Sequence, residues 1–250
     1  MPKLMNQDDT QSNNTPSNFA YSNVSIDNLT SPRYSIVQIL LDESGSVGSF
    51  KNEIEDAVMK VYEACKKSPD SENLLIRVAT FTSPTGINEV HGFLPINGID
   101  ASQYKNMLNP RGCTPLCDAA MDSIETVRSF GKQLVDQDYL VNAIIFVITD
   151  GEENSSTKSR VSDIKNAINL ARSEEVLDSI NTILVGINDV GLAVTLDSFR
   201  QSVGFDQYIS VGDANPGKLA KLANFVSQSI SSTSQVLGTG GPSKPVSLTF

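Results

Sequence analysis

Five oxygen-bearing side chains stand at three separate places where an apolar run gives way to polar residues. They are Asp42, Ser44 and Ser46 in "LLDESGSVGSF", Thr114 in "NPRGCTPLC" and Asp150 in "VITDGEENSS". Such a set can serve a phosphate, a nucleophile or a metal. A phosphate needs backbone N–H groups with a Lys or Arg, yet no G-x-x-x-x-G-K-[ST] occurs and two carboxylates would repel it. Gly238, Gly240 and Gly241 precede Pro242 and Pro245 and open no helix. A nucleophilic serine needs a base, and the one histidine, His91, falls in a different stretch. An aspartyl phosphatase would carry a second acid two residues after Asp42, where Ser44 stands. The expectation is a protein without catalytic activity. A hard divalent cation suits all five groups, because oxygen donors without His or Cys select Mg²⁺, Mn²⁺ or Ca²⁺ over Zn²⁺. Five donors, some acting through water, leave one octahedral position for an outside ligand. The plain alternative is capping and turn chemistry, which Ser, Thr and Asp also favour.

Short β-rich runs must position these groups. Tyr34–Leu41, Asn73–Phe81, Val141–Thr149, Ser179–Ile187 and Phe205–Ser210 read as strands, four of them almost continuously apolar, as in a parallel sheet covered on both faces. Asn88–Pro95 alternates and reads as an antiparallel edge strand, with His91 on the surface. Helical spacing relates Phe50, Ile54, Ala57, Val58, Val61, Tyr62 and Cys65, placing Cys65 in the core. Thr114-Pro115 reads as an N-cap with proline at the first helical position, and Leu116, Ala120, Ile124 and Val127 then line one face. A third helix carries Val161, Ile164, Ile168 and Ala171; a short fourth covers Leu192–Ser202. Asn215-Pro216 starts the last one, with Leu219, Ala223, Val226 and Ile230 inward. Alternating strands and helices predict a doubly wound, mostly parallel α/β sheet with helices on both faces and ligands at the carboxyl ends of the strands.

The ends read differently. Residues 1–32 form a polar arm, 33–232 the folded domain, and 233–250 a Ser/Gly/Pro-rich tail. Of 250 residues, 39% are hydrophobic, and the polar ends account for the shortfall. A net charge of −10 with scattered basic residues argues against nucleic acid or an anionic membrane as partner. No apolar stretch has the length of a membrane span, and the N-terminus lacks the apolar region of a signal peptide. Three cysteines, an odd and sparse set, suit a reducing compartment, so a cytoplasmic protein is expected, or a virion component if viral.

Asp42-X-Ser44-X-Ser46, the Gly-X-Thr-Pro-Leu loop at Gly112–Leu116, and Thr149-Asp150-Gly151 together resemble the metal-ion-dependent adhesion site of von Willebrand factor A domains. The resemblance runs from about Tyr34 to Ile230, with the parts in order. It implies that Ser44 and Ser46 ligate the metal directly, Thr114 does so in the ligand-bound form, and Asp42 and Asp150 act largely through water. It also implies a Rossmann-like fold, a Mg²⁺ cofactor, and a protein partner whose acidic side chain completes the coordination. Thr114, moving in and out, would couple the metal to the helix it caps. Glu43, Gly112, Cys113, Gly151 and Glu152 would form the partner-facing rim. Cys113 replaces a glycine common in relatives, and "TDGEENSS" is similar to the prokaryotic and viral branch, whose intracellular members serve as adaptors, for AAA+ ATPases among others. A structural or assembly component that docks through its arms is the second reading, and a metal-dependent hydrolase the third. Beside the site, Cys113 and Cys117 read as small buried or half-buried side chains. Glu43, Glu152 and Glu153 read as solvated loop acids, or one of them as an internal occupant of the open metal position.

Overall fold

The computed structural model describes residues 10–14, 19–173 and 177–239. Eight strands form one sheet in the order β1-β2-β5-β4-β3-β6-β7-β8. They are β1 (Thr10–Asn14), β2 (Ala20–Val24), β3 (Arg33–Asp42), β4 (Leu74–Thr82), β5 (Gly86–Pro95), β6 (Leu140–Thr149), β7 (Ser179–Gly186) and β8 (Gln207–Ser210). Strands β4, β3, β6, β7 and β8 run parallel, joined by helical crossovers. Both faces of the central strands are buried, which explains their unbroken apolar runs. Ile36 and Leu40 of β3 face one core with Ile124, Val127 and Phe130 of α2 (Leu116–Val135), and α3 (Val161–Ser173) and α4 (Ala193–Val203) complete that layer. Val37, Ile39 and Leu41 face the other core, against α1 (Lys51–Lys66) and α5 (Pro216–Thr239). Both predicted inward faces, on α1 and α5, are buried, with Cys65 in the core.

The chain order reverses between β3 and β6: from β3 it passes to β4 on one side and later to β6 on the other. That switch point opens a crevice at the carboxyl ends of these two strands. Leu41 pairs with Ile148, so Asp42 and Asp150 emerge side by side.

The expected boundaries need correction at both ends. Thr10–Asn14 and Ala20–Val24, assigned to the polar arm, are strands; Tyr21 and Val24 are core residues, and Asn23 pairs with Phe93. Strand β5 is therefore interior, and β1 forms the edge. Helix α5 continues past residue 232 to Thr239. Its end is fastened to the sheet where Asn142 Nδ2 donates to the Thr233 carbonyl (2.9 Å) and the Ser234 and Ser35 hydroxyls meet at 2.9 Å. Residues 1–9 and 240–250 of the proposed arm and tail lie outside the described residues. Pairing and the burial of a few anchors, not composition, hold these polar segments.

His91 also departs from expectation: it is buried (7% exposed) inside the sheet. Its Nδ1 lies 2.9 Å from the Gly92 carbonyl and Nε2 2.8 Å from the Tyr104 hydroxyl, a pattern that satisfies the neutral ring. Burial pushes its pKa down to about 4, below the ordinary 6.5. The unfolded chain then binds the extra proton between those values. Neutral His91 thus contributes on the order of 3 kcal/mol that is complete above about pH 6.5 and lost as pH falls toward 4. Replacing His91 with Gln should flatten that loss, read as the difference between the two proteins' denaturation midpoints from pH 7 to 4.5. Parallel curves would show that His91 is not held neutral.

Candidate metal centre

Strand β3 ends in Asp42, whose carboxylate is fixed on both oxygens. Oδ1 accepts the Ser44 N–H at 2.8 Å and Oδ2 accepts the Thr149 hydroxyl at 2.6 Å from the neighbouring strand. The chain then enters a short 3₁₀ turn, Gly45–Ser49, which turns Ser46 toward Ser44; their Oγ atoms lie 3.1 Å apart. Ser44 Oγ also reaches Asp150 Oδ1 at 3.4 Å. Thr114 stands on the third loop, buried, and a Cβ added to Gly151 would lie 3.2 Å from its Oγ1. All five predicted donors therefore meet at one place, with Ser46 exposed and the other four buried.

The donor chemistry fits a cation. Burial raises the Asp42 pKa to about 6, against the hydrogen bonds from Thr149 and Ser44, with repulsion from Asp150 adding to the rise. Burial likewise raises Asp150, opposed by Ser46 and Ser44. Among the described residues no Lys or Arg forms an ion pair with either carboxylate. Two desolvated acids beside uncharged hydroxyls leave a local negative charge that a divalent ion would offset. Among the described residues no cluster of three or more His, Cys, Asp or Glu side chains is placed to hold a metal, so an ion here would need the hydroxyls as ligands.

How Thr114 is placed differs from the expected cap. Helix α2 begins at Leu116 with Pro115 before it, and no side chain of that residue caps it. Glu153 accepts the Cys117 N–H at 2.6 Å and Ser156 Oγ accepts the Asp118 N–H at 3.1 Å, so loop 153–156 caps the helix from outside. Thr114 contributes only backbone to the junction, its N–H bonding Asn154 Oδ1 at 2.8 Å. The hydroxyl is thereby left to the site.

Two acids hold the Thr114 loop, Glu43, which reads as a solvated loop acid, and Glu55 of α1. Glu43, 4% exposed, is no solvated rim acid: it accepts the Thr80 hydroxyl at 3.0 Å and the Asn109 N–H at 2.6 Å. Its own carbonyl accepts the Arg111 N–H at 2.9 Å. Glu55 of α1 takes the N–H groups of Asn106 (2.9 Å) and Leu108 (3.0 Å). Glu153 is committed as well, bonding Ser155, Ser156 and Cys117, so neither Glu43 nor Glu153 serves as an internal metal ligand. Gly112, Cys113 and Glu152 are exposed at the rim, and Gly151 is half-buried. Cys113 is thus more open than expected, whereas Cys117 is buried as expected. Only a lone Glu among apolar helix positions, Glu55, and an acid directly after Asp42 hinted at these clamps.

Gly112 is a glycine by necessity, whereas Gly45 and Gly48 keep negative φ. At Gly112 φ is +66°, and a Cβ there would sit 1.7 Å from the Ser83 carbonyl oxygen. Gly112→Ala should cost at least about 2 kcal/mol and displace Thr114, weakening divalent-ion binding in the same sample. Unchanged melting and unchanged metal titration would show the loop to be more yielding than its hydrogen bonds indicate.

No protein-family model matches the chain, and no curated protein does. Solved structures with a similar course include a point mutant of the PilB minor pilin from Streptococcus sanguinis, with 13% identity and a TM-score of 0.58 over 88% of this chain. The pilus adhesin SpaC from Lactobacillus rhamnosus GG, in its open conformation, aligns with 14% identity and a TM-score of 0.52 over 89%. Proximal thread matrix protein 1 from the mussel byssus has 14% identity and a TM-score of 0.52 over 81%. That mussel protein has also been solved with zinc in its MIDAS motif, at a TM-score of 0.49, 15% identity, and coverage of 79% of this chain and 48% of that one. The alignments span 66% of the PilB chain, 33% of SpaC and 46% of the mussel protein in its metal-unspecified form. At such identities the likeness establishes a shared α/β Rossmann-like architecture.

Proposed function

We propose that this chain is a divalent-metal-dependent protein-interaction module of the von Willebrand factor A type. Asp42, Ser44, Ser46, Thr114 and Asp150 would hold Mg²⁺, with Mn²⁺ or Ca²⁺ as hard substitutes. The observation that carries this reading is the meeting of five oxygen side chains from three loops at the β3/β6 switch point. With neutral hydroxyls as the direct ligands and the two carboxylates acting through water, the bound ion would keep an open position at which an acidic side chain of a protein partner is attracted. The Ser44 and Ser46 hydroxyls, with Thr114 on the loop that the Glu43 and Glu55 clamps hold, would orient that position; Gly112, Cys113, Gly151 and Glu152 would frame it.

The proposal is of binding without turnover. His91, the one histidine, is committed to Tyr104 and Gly92 inside the sheet. Cytoplasmic placement rests on cysteine usage; among the described residues no helix is long and apolar enough to cross a membrane. An intracellular adaptor of an AAA+ ATPase or of an assembly subunit is the partner class this reading favours. Calorimetric titration with Mg²⁺, followed by capture of a carboxylate-bearing peptide with and without EDTA, tests it. Metal-dependent capture is expected; capture indifferent to EDTA would refute it, and turnover of a phosphoester would overturn the denial of catalysis.

A further inference from the structure

A second cleft opens beside the metal centre, on the α2 side of the sheet. It has a volume of about 380 Å³ and lies between the β4–β5 turn, the first turns of α2 and the loop 155–158. This size falls in the range of pockets that take a ligand or a whole side chain. Phe19, Pro84, Ile87 and Pro115 give it apolar walls, and Asp122 lies in its lining.

Asp122 is 2% exposed and belongs to a charge cluster that does not balance. Arg77 Nη1 donates to Asp122 Oδ2 at 3.0 Å, and Arg77 Nε to Glu89 Oε2 at 2.7 Å. Within hydrogen-bond reach one guanidinium thus serves two carboxylates, leaving a formal negative charge that only the more distant Lys158 offsets. Among the described residues Arg77 is the sole side chain hydrogen-bonded to the Asp122 carboxylate, which retains acceptor capacity. Burial raises the Asp122 pKa despite that partner. The Ser155 hydroxyl, also in the lining, is buried without a hydrogen-bond partner. Lys158 borders the cleft, exposed, and makes no ion pair among the described residues.

We infer that this cleft receives a basic side chain, lysine or arginine, of the same partner segment whose carboxylate completes the metal site. The apolar walls suit the methylene stem, and the charged head would reach Asp122 and the Ser155 hydroxyl. This inference rests on the metal-dependent reading above. Pro115 follows Thr114 directly and Asp122 lies two turns along α2, about 10 Å away, a distance that three or four residues of extended peptide span. The partner motif is therefore bipartite: an acid, and a base three or four positions from it. Lys158 competes with the incoming cation.

Capped peptides test this, carrying aspartate with either lysine or uncharged norleucine four positions away, titrated in Mg²⁺ by fluorescence anisotropy. The lysine peptide is expected to bind about tenfold tighter. Asp122→Asn should erase that preference and Lys158→Ala should enlarge it, with norleucine-peptide binding unchanged in both. Should Asp122→Asn fail to fold, Lys158→Ala and the cleft-filling Ser155→Phe decide, the latter expected to remove the preference. Mg²⁺-dependent binding of both peptides with equal affinity would overturn the cleft and spare the metal reading. No binding of either peptide, together with no calorimetric Mg²⁺ signal, would overturn both.

Discussion

Asp42→Asn should abolish the calorimetric Mg²⁺ signal while making the metal-free protein more stable. The side chain keeps its volume and can still accept the Ser44 N–H, so the turn that presents Ser44 and Ser46 survives. What disappears is a buried anion. Loss of a carboxylate that holds a metal, even through water, costs about 10–100-fold in affinity, and the remaining charge here is Asp150 alone. The stability change has the opposite sign. The folded pKa of Asp42, about 6, lies above the unfolded value of 3.8, so at pH 7 the ionised group opposes folding, and this penalty is relieved progressively as pH falls from about 6 to 3.8. Removing the charge should therefore raise metal-free stability at pH 7 by up to about 3 kcal/mol. In thermal melts the variant should exceed the native protein in EDTA and show no further gain in Mg²⁺. A variant that still gains from Mg²⁺ as the native protein does would exclude Asp42 from the centre.

Arg77→Met should cost about 3–5 kcal/mol, a large share of the 5–15 kcal/mol typical of a domain. Arg77 is fully buried, and both its ion-pair partners are acids, Glu89 and Asp122. Without it buried Asp122 loses its hydrogen-bonded counterion, and Glu89, whose side chain is partly open to solvent, loses its own. Gln38 Oε1, 2.9 Å from Nη1, also loses its donor. Damage should spread to the N-terminal strands, because Glu89 accepts the Ser22 N–H at 3.1 Å and fastens β2 to β5. Neutralising both acids in the same chain, with Glu89→Gln and Asp122→Asn, should recover most of the loss in a urea titration. A single Arg77→Met variant within 1 kcal/mol of the native protein would mean that water already reaches the cluster.

The central strands and the convergence of the five oxygen-bearing side chains were legible because each obeys a local rule. A parallel strand covered on both faces is apolar throughout, and oxygen-rich residues at strand ends stand where an open α/β sheet presents ligands. What escaped depends on partners distant along the chain. Glu43 beside Asp42 resembles any loop acid until Asn109 and Thr80 are seen to converge on it. Glu153 caps a helix that starts 37 residues earlier, a role no spacing rule expresses. The strand Thr10–Asn14 has a composition that predicts disorder, and its order comes from pairing with Ala20–Val24. Arg77 did carry a signal: a charge within "LLIRVATF" must find buried counterions, but nothing local names Glu89 and Asp122.

The fastening of α5 also has a mechanical meaning. The metal centre stands at the carboxyl ends of β3 and β6, while Ser234 meets Ser35 near the opposite end of β3. If, as proposed, a partner is held at this site, a load applied at the end of α5 would pull along the strand axis. Tension then acts in shear on the rungs joining β3, β4 and β6, which must yield together rather than one after another. The bonds of Thr233 and Ser234 would be the first strained, making the base of α5 the point that limits how hard the two poles can be drawn apart.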